Sequence, residues 1–145
     1  MSKDIERSEQ RREGAGPERG TAPTLALVAD LLFASRVRGA AEAAGVRVKT
    51  VRSVGELLDA AKEEMPRLIL LDLDARGADV PSLVRELKAE PSLAGVPVVV
   101  FGAHVRGDAL RAARDAGADR VLARSAFVRD LPALLRGADP AEPST

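Results

Sequence analysis

The chain has 145 residues, and its 22 basic and 22 acidic side chains leave a formal net charge of zero. The length suits one domain, the 46% hydrophobic content is enough to bury a core, and balanced charge gives no overall field that would recruit nucleic acid or an anionic membrane. The absence of cysteine and the single histidine exclude a disulfide framework, a thiolate metal site and a histidine-based metal cluster.

The two ends of the chain differ from its middle. Residues 1–23 are rich in charge and glycine and have almost no large apolar side chain after Ile5, so we expect a disordered N-terminal tail. Residues 137–145, with two prolines, are predicted to be a mobile C-terminal tail, and residues 24–136 form the domain. No apolar run approaches the roughly 20 residues of a membrane span, and the N-terminus lacks the apolar core of a secretory signal. We therefore expect a cytoplasmic protein.

Apolar runs predict five strands, and their composition indicates where each lies in a sheet. The third and fourth runs are apolar throughout, which is typical of strands buried on both faces of a parallel sheet. The second run alternates valine with basic residues, as a strand near a sheet edge does. The predicted strands are 24–28, 46–51, 68–71, 96–101 and 120–123.

Between and after the strands, apolar residues recur at helical spacing. Leu32 and Met65 fall on the apolar faces of the first and second helices, and Ser53 with Glu56 predicts a capping box at the start of the second. Gly45 is a typical stop for the first helix. The predicted helices are 31–45, 54–65, 81–90, 108–116 and 126–135.

Strands that alternate with helices predict an α/β fold, with a single five-stranded parallel sheet and helices on both faces. The expected strand order is the flavodoxin-like 2-1-3-4-5, in which the first and third strands are neighbours. Asp30 follows the first strand and Asp72 follows the third, so two carboxylates from distant parts of the chain should converge on one crevice.

Four segments in this order carry a resemblance to a known family. They are LALVAD, LILLDL, VPVVVFGA and AGADRVLARS, at 25–30, 68–73, 96–103 and 116–125. Over about residues 24–136 the chain resembles the receiver domains of response regulators. The resemblance implies phosphorelay signal transduction without enzymatic activity of its own, and it places the phosphoacceptor aspartate on Asp72.

The resemblance also shows where this chain departs from the family. The acidic pair that helps to hold a divalent metal falls on Ala29 and Asp30, so half of it is missing. We therefore predict no cofactor or only weak Mg²⁺ binding, by Asp30 and Asp72. The switch hydroxyl falls on Gly102, which has no side chain, and the lysine of the fifth strand falls on Arg124, whose planar fork needs different room. These departures predict a degenerate member, a pseudo-receiver.

Several nearby polar residues have two interpretations. Asp30 could ligate a metal or cap the first helix, and Asp74 could replace the missing acid or satisfy a turn. His104, the sole histidine, could bond within its loop or act as a proton switch. Ser125 could offer a substitute hydroxyl, although we favour it as the N-cap of the last helix.

The predicted function is docking to protein partners, mainly without normal phosphorylation switching. Mixed charge surrounds the fourth helix, fifth strand and last helix, and the resemblance implies that this face binds partners or a second copy in a homodimer. The first alternative is a functional receiver with Mg²⁺-dependent phosphorylation on Asp72. The second, an adaptor with nucleic-acid affinity, is not favoured because its basic residues lack aromatic stacking partners. Those basic residues are Arg36, Arg38, Arg47, Lys49 and Arg52.

Overall fold

Five parallel strands form one sheet in the computed structural model, which describes residues 22–75, 77–103 and 106–137. The strands are β1 (Thr24–Leu27), β2 (Val48–Val51), β3 (Leu68–Asp72), β4 (Val98–Gly102) and β5 (Arg120–Ala123). Their order is β2-β1-β3-β4-β5, so the predicted fold class is confirmed, with β3 central and β2 at an edge. The predicted tails lie outside the described ranges, apart from residues 22, 23 and 137.

Five helices cover the two faces of the sheet, because consecutive residues of a strand point to opposite sides. The helices are α1 (Leu31–Ala44), α2 (Val54–Glu64), α3 (Val80–Ala89), α4 (Gly107–Asp115) and α5 (Arg124–Leu135). Ile69 and Leu71 of β3 belong to one buried cluster, which also contains side chains of α2, α3 and α4. Leu68 and Leu70 belong to a second cluster with side chains of α1 and α5. The central strand is thus buried on both faces, as its apolar run predicts.

The sequence signals for helix starts are mostly confirmed. Asp30 caps α1 by accepting a hydrogen bond from the Phe33 amide, and Ser53 caps α2 by accepting one from the Glu56 amide. The predicted capping box is modified, because Glu56 Oε1 accepts from the amide of Arg52 and not from that of Ser53. Gly45 ends α1 in the left-handed conformation, with φ of 74°.

Three local expectations are wrong. Ser125 is not an N-cap: α5 begins at Arg124, directly after β5, and no side chain caps it. Met65 does not pack on the apolar face of α2, because the helix ends at Glu64 and Met65 follows as a left-handed C-cap with φ of 49°. Leu32 lies in α1 but is 85% exposed.

Candidate functional site

Asp72 ends the central strand with its side chain completely buried, at 0% exposure. Its Oδ2 accepts a hydrogen bond of 3.0 Å from the main-chain amide of Ala29, which follows β1. Its Oδ1 accepts one of 2.9 Å from the amide of Asp74. Both oxygens are therefore satisfied by main-chain donors, as a buried carboxylate requires.

Asp30 lies beside this group, because β1 and β3 are adjacent and the preceding residue, Ala29, donates to Asp72. The Asp30 carboxylate itself is directed to its own helix, where Oδ1 accepts a 2.7 Å hydrogen bond from the Phe33 amide. The capping interpretation of Asp30 is thus confirmed, and one of its oxygens is engaged in that role.

Arg124 brings a positive charge to the buried carboxylate. As the first residue of α5, it places Nη2 3.6 Å from Asp72 Oδ1 and 3.5 Å from Asp74 Oδ2. The side chain is 33% exposed, so solvent screens this pairing only in part. One guanidinium nitrogen, Nη2, thus faces both carboxylates.

Asp74 is oriented by two cations. Besides Arg124, its Oδ1 forms an ion pair with Nη1 of Arg106, the residue that precedes α4. Asp74 therefore connects Arg106, which precedes α4, with Arg124, which begins α5. The partners of its carboxylate are thus two arginines, and its role as a replacement acid stays a prediction.

The three phenylalanines of the chain form one cluster beneath Arg124. Phe101 and Phe127 stack with a centroid distance of 3.9 Å, and Phe33 lies 5.4 Å from Phe101. The Arg124 guanidinium carbon is 4.7 Å from the centroid of the Phe33 ring, which is within the range of a cation–π interaction.

Gly102 ends β4 next to the residue that follows Asp72. A Cβ built on Gly102 would lie 2.9 Å from the Cβ of Leu73 and 3.0 Å from its Cδ2. Leu73 is held in this place by a 2.8 Å hydrogen bond from its amide to the carbonyl of Phe101. The missing side chain thus makes room for Leu73, in addition to removing a hydroxyl.

Ser125, another accessory candidate, does not join this arrangement. Ser125 is exposed in the first turn of α5. His104 lies outside the described residues, and its two interpretations both stay predictions.

An open apolar depression borders the site at the start of α1. Leu31 and Leu32 are 62% and 85% exposed, and with Asp30, Phe33 and Arg36 they line a pocket of about 480 Å³. The sequence pattern assigned Leu32 to the buried face, so this exposed apolar surface was not predicted.

The strand order and the aspartate at the end of β3 agree with the result of a comparison with known protein families. The sequence profile of the response regulator receiver domain matches residues 29–136. The chain belongs to this family. Receiver domains act in two-component signal transduction, generally as modules without catalysis of their own. No curated protein matches the chain significantly.

Solved structures of receiver domains share the fold at low sequence identity. A protein described as a response regulator from Chloroflexus aurantiacus superposes with a TM-score of 0.72 at 22% identity, covering 80% of this chain and 95% of that one. The receiver domain of a Pseudomonas aeruginosa sensor histidine kinase, solved with magnesium coordinated in its active site cleft, has a TM-score of 0.71 at 20% identity over 80% and 95% of the two chains. Chemotaxis response regulator CheY4 of Vibrio cholerae has a TM-score of 0.71 at 17% identity, over 80% and 97%.

The receiver family implies a divalent metal, and the side chains here do not fit one as they are arranged. Mg²⁺ prefers octahedral oxygen ligands and retains several waters, whereas Asp72 is inaccessible and Asp30 caps a helix. Ala29 supplies no carboxylate, and no group of three or more metal-binding side chains occurs in the described ranges. The weak Mg²⁺ site at Asp30 and Asp72 stays a prediction that requires at least the buried Asp72 carboxylate to rearrange.

Sequence reasoning missed three contributors to the site. They are Arg106, Leu73 and Phe33, none of which the sequence placed at the crevice. A usable signal did exist for Phe33, because an arginine at the family's lysine position gains from an aromatic neighbour.

The helices that the structure describes include none with the length and apolar composition of a membrane span.

Proposed function

We propose that this receiver protein signals mainly by docking to protein partners, without the usual phosphorylation-driven switch. The observation that carries the proposal is the state of Asp72, which is fully buried and hydrogen-bonded through both oxygens to main-chain amides. A phosphoryl donor must reach one of those oxygens, so phosphorylation would require the loops after β1 and β3 to open.

Gly102 supports the same proposal from the other side of the cleft. A receiver switch needs a hydroxyl that changes position when phosphoryl oxygens arrive, and glycine offers none. Leu73 fills the space next to Gly102, so no neighbouring side chain could move into that position without displacing it. A phosphoryl group on Asp72 would therefore lack the element that transmits its presence.

The test of the switch uses beryllium fluoride, which mimics a phosphoryl group on a carboxylate. Wild-type protein and Asp72→Asn would be compared by amide NMR in Mg²⁺ with and without the mimic. We expect no shift of the Ala29 and Asp74 amides that depends on Asp72. A shift that Asp72→Asn abolishes would favour the alternative, a functional receiver phosphorylated on Asp72.

The proposed docking surface is formed by α4, β5 and α5. α4 contributes only one fully buried side chain, Ala113, and exposes basic and acidic groups, among them Arg114. Capture from native cells would compare the wild type with Arg114→Glu and, as a control on another helix, Arg85→Glu. We expect Arg114→Glu alone to reduce capture and Asp72→Asn to leave it unchanged.

The exposed leucines of α1 define the competing surface in that experiment. If Leu32→Gln removes the captured partner and Arg114→Glu does not, docking uses the cleft side of α1.

The structure adds no support for the nucleic-acid alternative, because the side chains of Arg47 and Lys49 both pair with Glu64 at the β2 edge of the sheet.

A further inference from the structure

Two carboxylates and two guanidinium groups meet above the end of β3. Arg124 faces both Asp72 and Asp74, at 3.6 and 3.5 Å, and Asp74 also pairs with Arg106. The two positive and two negative charges cancel. A buried carboxylate without a counter-charge is strongly unfavourable, and here the chain provides that counter-charge itself.

Arg124 is held at this place by more than its charge. Its guanidinium lies over the Phe33 ring, at 4.7 Å from the centroid, and 5.8 Å from the centroid of Phe101. Phe101 in turn stacks on Phe127 within the buried core. A planar guanidinium can stack on a ring and face carboxylates at its edge at the same time, whereas an ammonium is a point charge. The site therefore suits arginine specifically.

We propose that Arg124 is the resident cation of this cleft and neutralises Asp72 from inside the protein, in place of a divalent metal. Asp74, which pairs with both Arg106 and Arg124, is the positioning residue that holds the Arg124 guanidinium beside Asp72. The proposal deepens the function proposed above, because an internal cation keeps Asp72 paired and buried whether or not metal is present.

The first experiment asks whether Arg124 is what excludes a metal. Mn²⁺, whose paramagnetism broadens nearby amide signals, would be titrated into wild-type protein, Arg124→Met and Arg120→Met. Arg120 is the matched control, because it also lies next to an aspartate and its side chain is also 33% exposed. The signals to follow are the Ala29 and Asp74 amides, which donate to Asp72. Amides near the exposed Asp108 report nonspecific binding.

We expect selective broadening of the Ala29 and Asp74 amides in Arg124→Met alone, and its loss in the double variant with Asp72→Asn. Selective broadening in the wild type that Asp72→Asn abolishes would overturn the proposal. So would a lack of any gain in folded Arg124→Met, because Arg124 would then not be the competing cation.

A double-mutant cycle keeps the proposal testable if Arg124→Met proves too unstable for titration. We expect Arg124→Met to lower the melting temperature by about 3–8 °C and Arg120→Met by less, because only Arg124 faces a fully buried carboxylate. In the Asp72→Asn background the effect of Arg124→Met should fall to about half or less. Full additivity of Asp72→Asn and Arg124→Met would show that the two side chains are not coupled, and would end the proposal.

These outcomes separate the two proposals. Mn²⁺ binding by the wild type without a beryllium fluoride response would overturn the resident cation and leave docking without a switch in place. An Asp72-dependent beryllium fluoride response would overturn docking without a switch, whatever the metal titration shows.

Discussion

Gly102 and Leu73 approach each other so closely that a Cβ on the glycine would lie 2.9 Å from the Cβ of the leucine. Real side chains essentially never pack at that distance, so one of the two strand ends would have to move. Because Leu73 directly follows Asp72, the movement would be transmitted to the buried carboxylate. The position where other receivers have their switch hydroxyl is thus also a packing constraint on the phosphoacceptor position.

We predict that Gly102→Ala lowers the free energy of unfolding by about 1–3 kcal/mol, as overpacking of a filled core typically does. Gly39→Ala in α1 is the control, because a Cβ there meets nothing within 4 Å and should stabilise the helix by about 0.5–1 kcal/mol. Urea unfolding measures both. Equal stability of Gly102→Ala and wild type would show that Leu73 moves aside at little cost in free energy.

The contact between Gly102 and Leu73 also affects any attempt to restore the switch hydroxyl by substitution. Gly102→Thr would add a hydroxyl together with a Cβ that displaces Leu73. A lack of response of Gly102→Thr to beryllium fluoride would therefore not by itself show that the cleft is inactive, because Leu73 is displaced as well.

Met65 is a position where we predict that a substitution increases the free energy of unfolding. It follows α2 as a C-cap in the left-handed conformation, with φ of 49°, and it is 42% exposed. Met65→Gly should raise the free energy of unfolding by about 0.5–1 kcal/mol, because glycine adopts this conformation without steric strain. Glu63→Gly, two residues earlier and inside the helix, should lower it by about 1 kcal/mol. A loss of stability in Met65→Gly, measured by urea unfolding, would contradict the assignment of strain.

Asp79 predicts a pH dependence at the start of α3. The Ser82 main-chain amide, and after it the Ser82 hydroxyl, hydrogen-bond to the carboxylate and hold the pKa of Asp79 below its ordinary value. A lowered pKa stabilises the fold above the unfolded-state value, and this stabilisation is lost as pH falls through the folded-state value, so the relevant window lies below about pH 4.

The comparison variant for Asp79 is Asp79→Asn, since asparagine caps helices about equally well and does not titrate in this range. We expect the stability of wild type relative to Asp79→Asn to fall as pH is lowered below about 4 in urea unfolding. A difference between the two proteins that is independent of pH down to about 2.5 would refute the linkage. Ser82→Ala, which removes the hydroxyl donor and retains the amide, should reduce the difference only in part.

Local patterns in the sequence determined most of the architecture. The apolar runs at 68–71 and 96–101 are long enough to mark doubly covered strands, and Asp30, Ser53 and Gly45 mark helix ends through contacts within a few residues. Such signals depend on neighbours along the chain, so they can be read without the fold. The alternation of strands and helices then predicted the strand order and the crevice beside Asp72, and the family resemblance assigned the phosphoacceptor position to Asp72.

Only the tertiary structure decided what surrounds Asp72. Arg124 reaches it across 52 positions of sequence and rests on Phe33, from the opposite end of the domain, while Leu73 fills the space beside Gly102. Local periodicity contains no information about which side chains of separate strands and helices meet, because that depends on how the elements pack. The sequence therefore determined that an acid lies at the carboxyl end of the central strand, whereas the packing of the fold determined that Arg124 neutralises it.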